Sequence, residues 1–224
     1  MTEYNSIKAV IFDMDGLMLD SQRIATKAWK KAVSYYGYSL SDEDNLLMVG
    51  RNTRDSNEIL RSLFGPDIPI DQFREYARQL FYDYVKDDGI PIKVGLKKLL
   101  DFLDEKKLPA AVATSTNRDD CIASLDKCGL THRFKIIVCG DDVANGKPEP
   151  DLFLKASGLL QTAPESCIVL EDSFAGIRAA HAAGMIPIMV PDLIGPTEEI
   201  KSLAHIVVPS LNEAKLEIEN LLRD

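Results

Sequence analysis

Long apolar runs are missing from this sequence. No stretch approaches the ~20 consecutive apolar residues that a membrane-spanning helix needs, so no membrane partner is expected. A basic block is missing too. Lys plus Arg number 26 against 35 Asp plus Glu, and a net charge of −9 argues against nucleic acid or an anionic membrane surface as partner. The opening residues MTEYNSIK carry no basic n-region, and the apolar run after them is too short for a secretory leader. Cys121, Cys128, Cys139 and Cys167 lack C-x-x-C spacing, which reads as buried free thiols in a reducing compartment. A cytoplasmic monomer is the expectation. No glycine-rich fingerprint follows the first strand-like run, which argues against a dinucleotide site. Between Gly140 and Gly146 stand five residues, and Pro148 follows Lys147. A P-loop needs four and then Ser or Thr, so that reading fails as well. His132, His181 and His205 are isolated in the sequence and read as structural or surface residues.

What is present is an alternation of strand-like and helix-like segments. The stretch KAVIFDMDGLMLD (8–20) opens with a continuous apolar run, the pattern of a strand buried on both faces. Residues 21 to about 86 hold no convincing strand. Ile24, Ala28, Ala32, Val33 and Tyr36 recur at helical spacing and Gly37 closes that segment; further helices are predicted over 53–64 and 71–86. From 94 onward helices (94–106, 118–127, 151–158, 173–184) alternate with strands (109–116, 134–140, 167–172, 185–190, 205–208). Ser173 is the expected N-cap and Gly184 the terminator of the helix between them. The pattern predicts an α/β fold: a doubly wound parallel sheet, Rossmann-like, with an inserted all-helical cap domain. Residues 1–19 and 88–224 form the expected core and 20–87 the cap governing substrate access. The connections near 19–21 and 87–93 would act as a paired hinge.

In such a sheet ligands bind beyond the carboxyl ends of the strands. The first strand ends in Asp13 and Asp15, the second in Thr114, Ser115 and Thr116, and the fourth in Glu171 and Asp172, while Lys147 sits in the loop after the third. Carboxylates ~4 Å apart repel by about 4 kcal/mol at an effective dielectric near 20, so the cluster calls for a cation. Oxygen donors without histidine or thiolate favour Mg²⁺. At a strand end, residues i and i+2 point the same way, so Asp13 and Asp15 can reach one substrate together. One carboxylate can attack phosphorus and the other can shuttle the proton. Thr114 and Lys147 suit the phosphoryl oxygens, with Ser115 a further phosphate-binding candidate. Asp20 reads instead as the N-cap of the next helix, and Trp29 as packing on the helical block or a cavity residue.

The quartet DMDG (13–16), Thr114 after an apolar strand, Lys147 in GKPEPD and EDSFAGIRAA (171–180) closely resemble the haloacid dehalogenase-like hydrolase superfamily. The likeness runs along essentially the whole chain and is greatest to the branch of beta-phosphoglucomutase and sugar-phosphate phosphatases. The resemblance implies Asp13 as nucleophile and Asp15 as general acid/base. It implies Mg²⁺ on Asp13, the Asp15 main-chain carbonyl and Asp172, with Glu171 a ligand or near neighbour, and a small phosphorylated metabolite as partner. It also makes Gly50, Arg51 and Asn52 candidates for substrate selection, although a solvated helix start explains them equally well. The mutase branch carries a histidine early in the cap and an arginine three residues after the cap-loop glycine. Here SQRIATKAW has no histidine and Thr53 stands at the second place, which favours a phosphatase over a mutase. A phospho-accepting signalling module shares the acidic pocket, but an inserted cap would cover the face that such a module must expose.

Overall fold

An uninterrupted apolar strand is stable only where both of its faces are covered, and the first strand meets that condition. The computed structural model describes residues 7–49, 53–87 and 89–223. β1 (Ala9–Phe12) is buried at all four positions and lies between β2 (Ala110–Ala113) and β4 (Cys167–Glu171), parallel to both. Phe12 sits opposite Val112 on one side and Leu170 on the other. With β3 (Ile136–Val138), β5 (Ile186–Met189) and β6 (Ile206–Val207) the order is β3-β2-β1-β4-β5-β6, all pairs parallel. The chain builds outward from β1 to one side and then crosses to the other, so the β1–β4 boundary is the topological switch point where a crevice opens.

The two faces of β1 enter different cores. Val10 and Phe12 pack with Leu99 and Leu103 of α5 (Leu96–Glu105), Leu125 of α6 (Arg118–Lys127) and Ile218 of α10 (Leu211–Leu221). Ala9 and Ile11 pack with Phe153 of α7 (Asp151–Leu159) and Ala180 of α8 (Phe174–Ala182). Each fully buried Leu or Phe contributes ~1.5–3 kcal/mol, and the alanines on the second face let α7 and α8 lie close to the sheet. A short α9 (Glu198–Leu203) precedes β6.

Between β1 and α5 lie four helices: α1 (Ser21–Tyr35), α2 (Asp42–Leu46), α3 (Thr53–Phe64) and α4 (Ile70–Val85). They have a small core of their own, in which Val33, Leu60 and Phe73 are fully buried. The entering and returning connections run antiparallel and share hydrogen bonds: Asp20 N–H donates to Pro91 O at 2.8 Å and Lys93 N–H to Met18 O at 2.9 Å.

The predicted segments all appear, with shorter strands. The edges of 134–140 and 205–208 leave the ladder, and only 136–138 and 206–207 pair. Helices α2, α9 and α10 are additional to those expected. Asp20 holds the N-cap position of α1 but its side chain does not cap; it turns to Arg23, because that cation competes for the same oxygen. Ser173 caps α8 as expected, accepting from Gly176 N–H at 3.0 Å. All four cysteines are free, three of them buried. Among the described residues no helix is long and apolar enough to cross a membrane.

Candidate active site

The end of β1 is fixed before any charged group is considered. Asp13 N–H continues the ladder onto Leu170 O at 3.0 Å. The chain then folds into a tight loop in which Gly16 N–H donates to Leu19 O, with Met14, Leu17 and Met18 buried beneath it. Gly16 has φ +89°, and a Cβ there would stand 2.2 Å from Asp172 Oδ2. Only glycine allows both the turn and the close approach of the Asp172 carboxylate. A Cβ at Gly176 would meet Glu171 Oε1 at 1.8 Å, so the first turn of α8 is likewise moulded around an acid.

Lys147 comes to this edge from the loop after β3 and is buried. Its ammonium donates to Asp13 Oδ1, to Glu171 Oε1 at 2.6 Å and to Ala113 O at 3.1 Å, which uses all three of its protons. The other oxygen of Glu171 accepts from Ser173 N–H at 2.7 Å and from its hydroxyl at 2.9 Å. Glu171 therefore ties the lysine to the start of α8. Asp15 is gripped from two sides: the Ser21 hydroxyl donates to Oδ1 and the Thr116 hydroxyl to Oδ2, each at 2.6 Å. Ser21 is the first residue of α1 and Thr116 follows β2, so one carboxylate links the helical insertion to the sheet. Thr114 is buried at the end of β2, where its hydroxyl oxygen accepts from Thr116 N–H. Ser115 is exposed on the same rim.

Three carboxylates crowd one ammonium. Oxygens of Asp13, Glu171 and Asp172 all lie within 4.8 Å of one another. Burial pushes the Asp13 carboxyl up to about 8; Lys147 opposes that shift, while Glu171 and Asp15 add to it. Asp172 is also raised well above the usual carboxylate range, by burial first and then by Glu171 and Asp13. Burial works against the charge on Lys147, but Asp13 and Glu171 outweigh it and keep the ammonium protonated. With all three acids ionised, the group has two negative charges in excess. A divalent cation fits that excess, and the all-oxygen donor set suits a hard ion such as Mg²⁺.

These groups open into a cavity of about 310 Å³, whose far wall is helical and includes Trp29, Met48 and Arg74. Residues 10–190 match the haloacid dehalogenase-like hydrolase family. The chain belongs to that family. It is 29% identical over 217 residues to a phosphorylated carbohydrates phosphatase of Thermotoga maritima, covering 95% of this chain and 91% of the relative. To a fructose-1-phosphate phosphatase of Escherichia coli it is 30% identical over 186 residues, covering 81% of this chain and 95% of the relative. The crystal structure of CbbY from Rhodobacter sphaeroides in complex with phosphate superposes with a TM-score of 0.79 at 27% identity, covering 94% of this chain and 99% of that one.

Within this hydrolase fold the seven core residues singled out from the sequence meet at one edge. Asp13, Asp15, Thr114, Ser115, Lys147 and Asp172 line the cavity, and Glu171 stands behind Lys147. Gly50, Arg51 and Asn52 lie outside the described residues. Trp29 does both things expected of it, packing against the small core of the insertion and lining the cavity. Sequence reasoning passed over Ser21 and Arg74 and gave Thr116 no role. Thr116 belonged to the hydroxyl triplet after β2, which was a usable signal; nothing in the local sequence marks the other two.

Proposed function

We propose that the protein is a Mg²⁺-dependent phosphatase that hydrolyses a small phosphorylated carbohydrate through an aspartyl-phosphate on Asp13. One observation carries the reading. Two carboxylates two residues apart, one against a buried lysine and the other held by hydroxyls, face a single cavity between the sheet edge and the helices. Phosphate ester cleavage asks mainly for an aligned nucleophile, a proton donor and neutralisation of charge on the phosphoryl oxygens.

In the first half-reaction an Asp13 oxygen bonds to phosphorus while the ester P–O bond breaks, and protonated Asp15 delivers its proton to the departing sugar oxygen. In the second, Asp15 takes a proton from water as that water's oxygen bonds to phosphorus. The Asp13–phosphorus bond breaks and inorganic phosphate leaves. Thr114 and Lys147 hold phosphoryl oxygens, and Glu171 keeps Lys147 in place. Asp13, Asp172 and the Asp15 main-chain carbonyl would hold the magnesium ion, which neutralises the acidic cluster and the phosphoryl oxygens when bound. Residues 20–87 act as a cap that shields the acyl phosphate from bulk water.

Phosphate release from fructose 1-phosphate, glucose 6-phosphate and p-nitrophenyl phosphate, with Mg²⁺ and with EDTA, tests this directly. Release is expected only with the metal and is lost in Asp13→Asn. Conversion of beta-glucose 1-phosphate to glucose 6-phosphate without net release would replace the phosphatase by a mutase.

A further inference from the structure

The helical wall of the cavity contains a cation without a counterion among the described residues. Arg74, on α4, is half-buried, and its guanidinium lies 5.5 Å from the centroid of the Trp29 ring. One of its five N–H donors reaches Asn57 Oδ1 of α3 at 2.7 Å. Among the described residues no carboxylate comes within ion-pair distance of it. Of the eight other described arginines, seven (23, 54, 78, 118, 133, 178 and 223) contact an acid, and the eighth, Arg61, is exposed to solvent. In a chain with a formal charge of −9, leaving a cavity arginine unpaired is unusual. Burial draws its pKa below the ordinary arginine value, and Asp71, an exposed residue one turn earlier, only partly compensates.

Guanidinium stays protonated in proteins, so its desolvation must be balanced by a partner. Trp29 offers a ring face and fixes the plane of the fork; Asn57 fixes its rotation. The remaining donors are left to whatever enters the cavity. The cation on the opposite wall, Lys147, stands beside Asp13 and serves the scissile phosphoryl group, so the two cations face different ends of one ligand. Arg74 is the wrong group for a neutral sugar face and the right one for a planar carboxylate or a phosphate.

We propose that Arg74, held by Trp29 and Asn57, binds a second anionic group of the substrate. The preferred substrate is then a phosphate monoester that carries a carboxylate or another phosphate remote from the scissile ester. This rests on the phosphatase reading for the reacting end, and it sorts phosphorylated carbohydrates into those with one anionic group and those with two.

Matched pairs test it: fructose 1,6-bisphosphate against fructose 1-phosphate for a phosphate source, and 6-phosphogluconate against glucose 6-phosphate for a carboxylate source. The expected result is a preference in kcat/KM of about 10-fold or more for the two-anion member of at least one pair, the size of a charge-assisted hydrogen bond. Arg74→Gln should collapse that ratio to within about twofold through KM for the two-anion member, and Arg74→Lys should recover part of it. No preference in either pair, or an equal fall for both members in Arg74→Gln, overturns the proposal. Trp29 is the single tryptophan, so its emission reports the site without turnover. In Asp13→Asn, fructose 1,6-bisphosphate or 6-phosphogluconate should shift that emission at concentrations where fructose 1-phosphate and glucose 6-phosphate do not. The shift should vanish when Arg74→Gln is added, and its persistence in the double variant would sink the assignment. Should no phosphate be released from any ester, the phosphatase reading fails, while the emission titration still decides whether Arg74 takes an anion.

Discussion

One cavity has two unlike walls. On the sheet side the polar groups are tied down: Lys147 by three acceptors, Asp15 by two hydroxyls, Glu171 by Lys147 and Ser173. On the helical side Arg74 has a single hydrogen bond, and among the described residues of α3 only Leu60 is buried. The sheet wall resembles a mould set around charges that cannot be repositioned cheaply in a dry interior. The helical wall is held by its own small apolar core and by a hydrogen bond from Asn45 Nδ2 to Thr26 Oγ1 at 2.9 Å, and it leaves donors of Arg74 to suit a ligand. Phosphoryl chemistry needs the same constellation for every ester, whereas the rest of the substrate varies. Rigid placement therefore belongs on the sheet and variable contact on the insertion.

The contrast breaks hardest at Asp13. Asp13→Asn keeps the shape and removes the proposed nucleophile, and kcat for any hydrolysed ester is expected to fall about 10⁴-fold or more. A fall of less than tenfold would move the covalent step to another residue. Asp15→Asn should cost about 10²–10⁴-fold on sugar phosphates, whose leaving oxygen needs a proton. It should cost much less on p-nitrophenyl phosphate, whose leaving group needs little help. Equal losses on both would deny Asp15 the acid role. Lys147→Met tests the wall as structure: it leaves two contacting acids without their ammonium, and a loss of about 3–5 kcal/mol is expected in urea unfolding without metal. Added Mg²⁺ should narrow that loss, and a variant as stable as the parent would show that the acids relax by themselves.

This division was half legible beforehand. Most of the sheet wall is assembled from residues at the ends of apolar strands, so β1, β2 and β4 announce Asp13, Thr114 and Glu171 in the sequence itself. The turn at Gly16 is readable for the same reason, because glycine after two closely spaced acids signals a tight backbone bend. Contacts that depend on two distant elements are not readable. Ser21 and Thr116 meet on Asp15 across 95 residues of sequence, and Arg74 finds Asn57 only because α3 and α4 pack. The overlooked α10 did carry a signal: Leu211, Ala214, Ile218 and Leu221 are buried at helical spacing, and Ser210 caps the helix by accepting from Asn212 N–H at 3.1 Å. The elements expected from the sequence ended with the strand 205–208, short of this helix.

The smallest expected effect lies where the two walls join. Asp192 stands in the loop after β5 with its side chain only 2% exposed, and its Oδ1 accepts from Lys93 Nζ at 2.6 Å and Arg23 Nη1 at 2.8 Å. Arg23 belongs to the entering helix and Lys93 to the returning connection, so one acid of the sheet domain's loop holds both crossings. The other oxygen, Oδ2, is buried and has no donor among the described residues. Asp192→Asn preserves the shape and removes the charge, and a loss of about 1–2 kcal/mol is expected in urea unfolding. The two cations should not share that loss equally. The Arg23 side chain is 53% exposed and screened by solvent, so Arg23→Gln should cost no more than about 0.5–1 kcal/mol. Lys93, at 24%, is the more enclosed partner, and Lys93→Gln should account for most of the Asp192 effect. Added salt should shrink the Arg23 contribution before that of Lys93, since exposed pairs are screened first. If Arg23→Gln proves the more damaging of the two, the insertion is anchored through its first helix rather than through its returning strand.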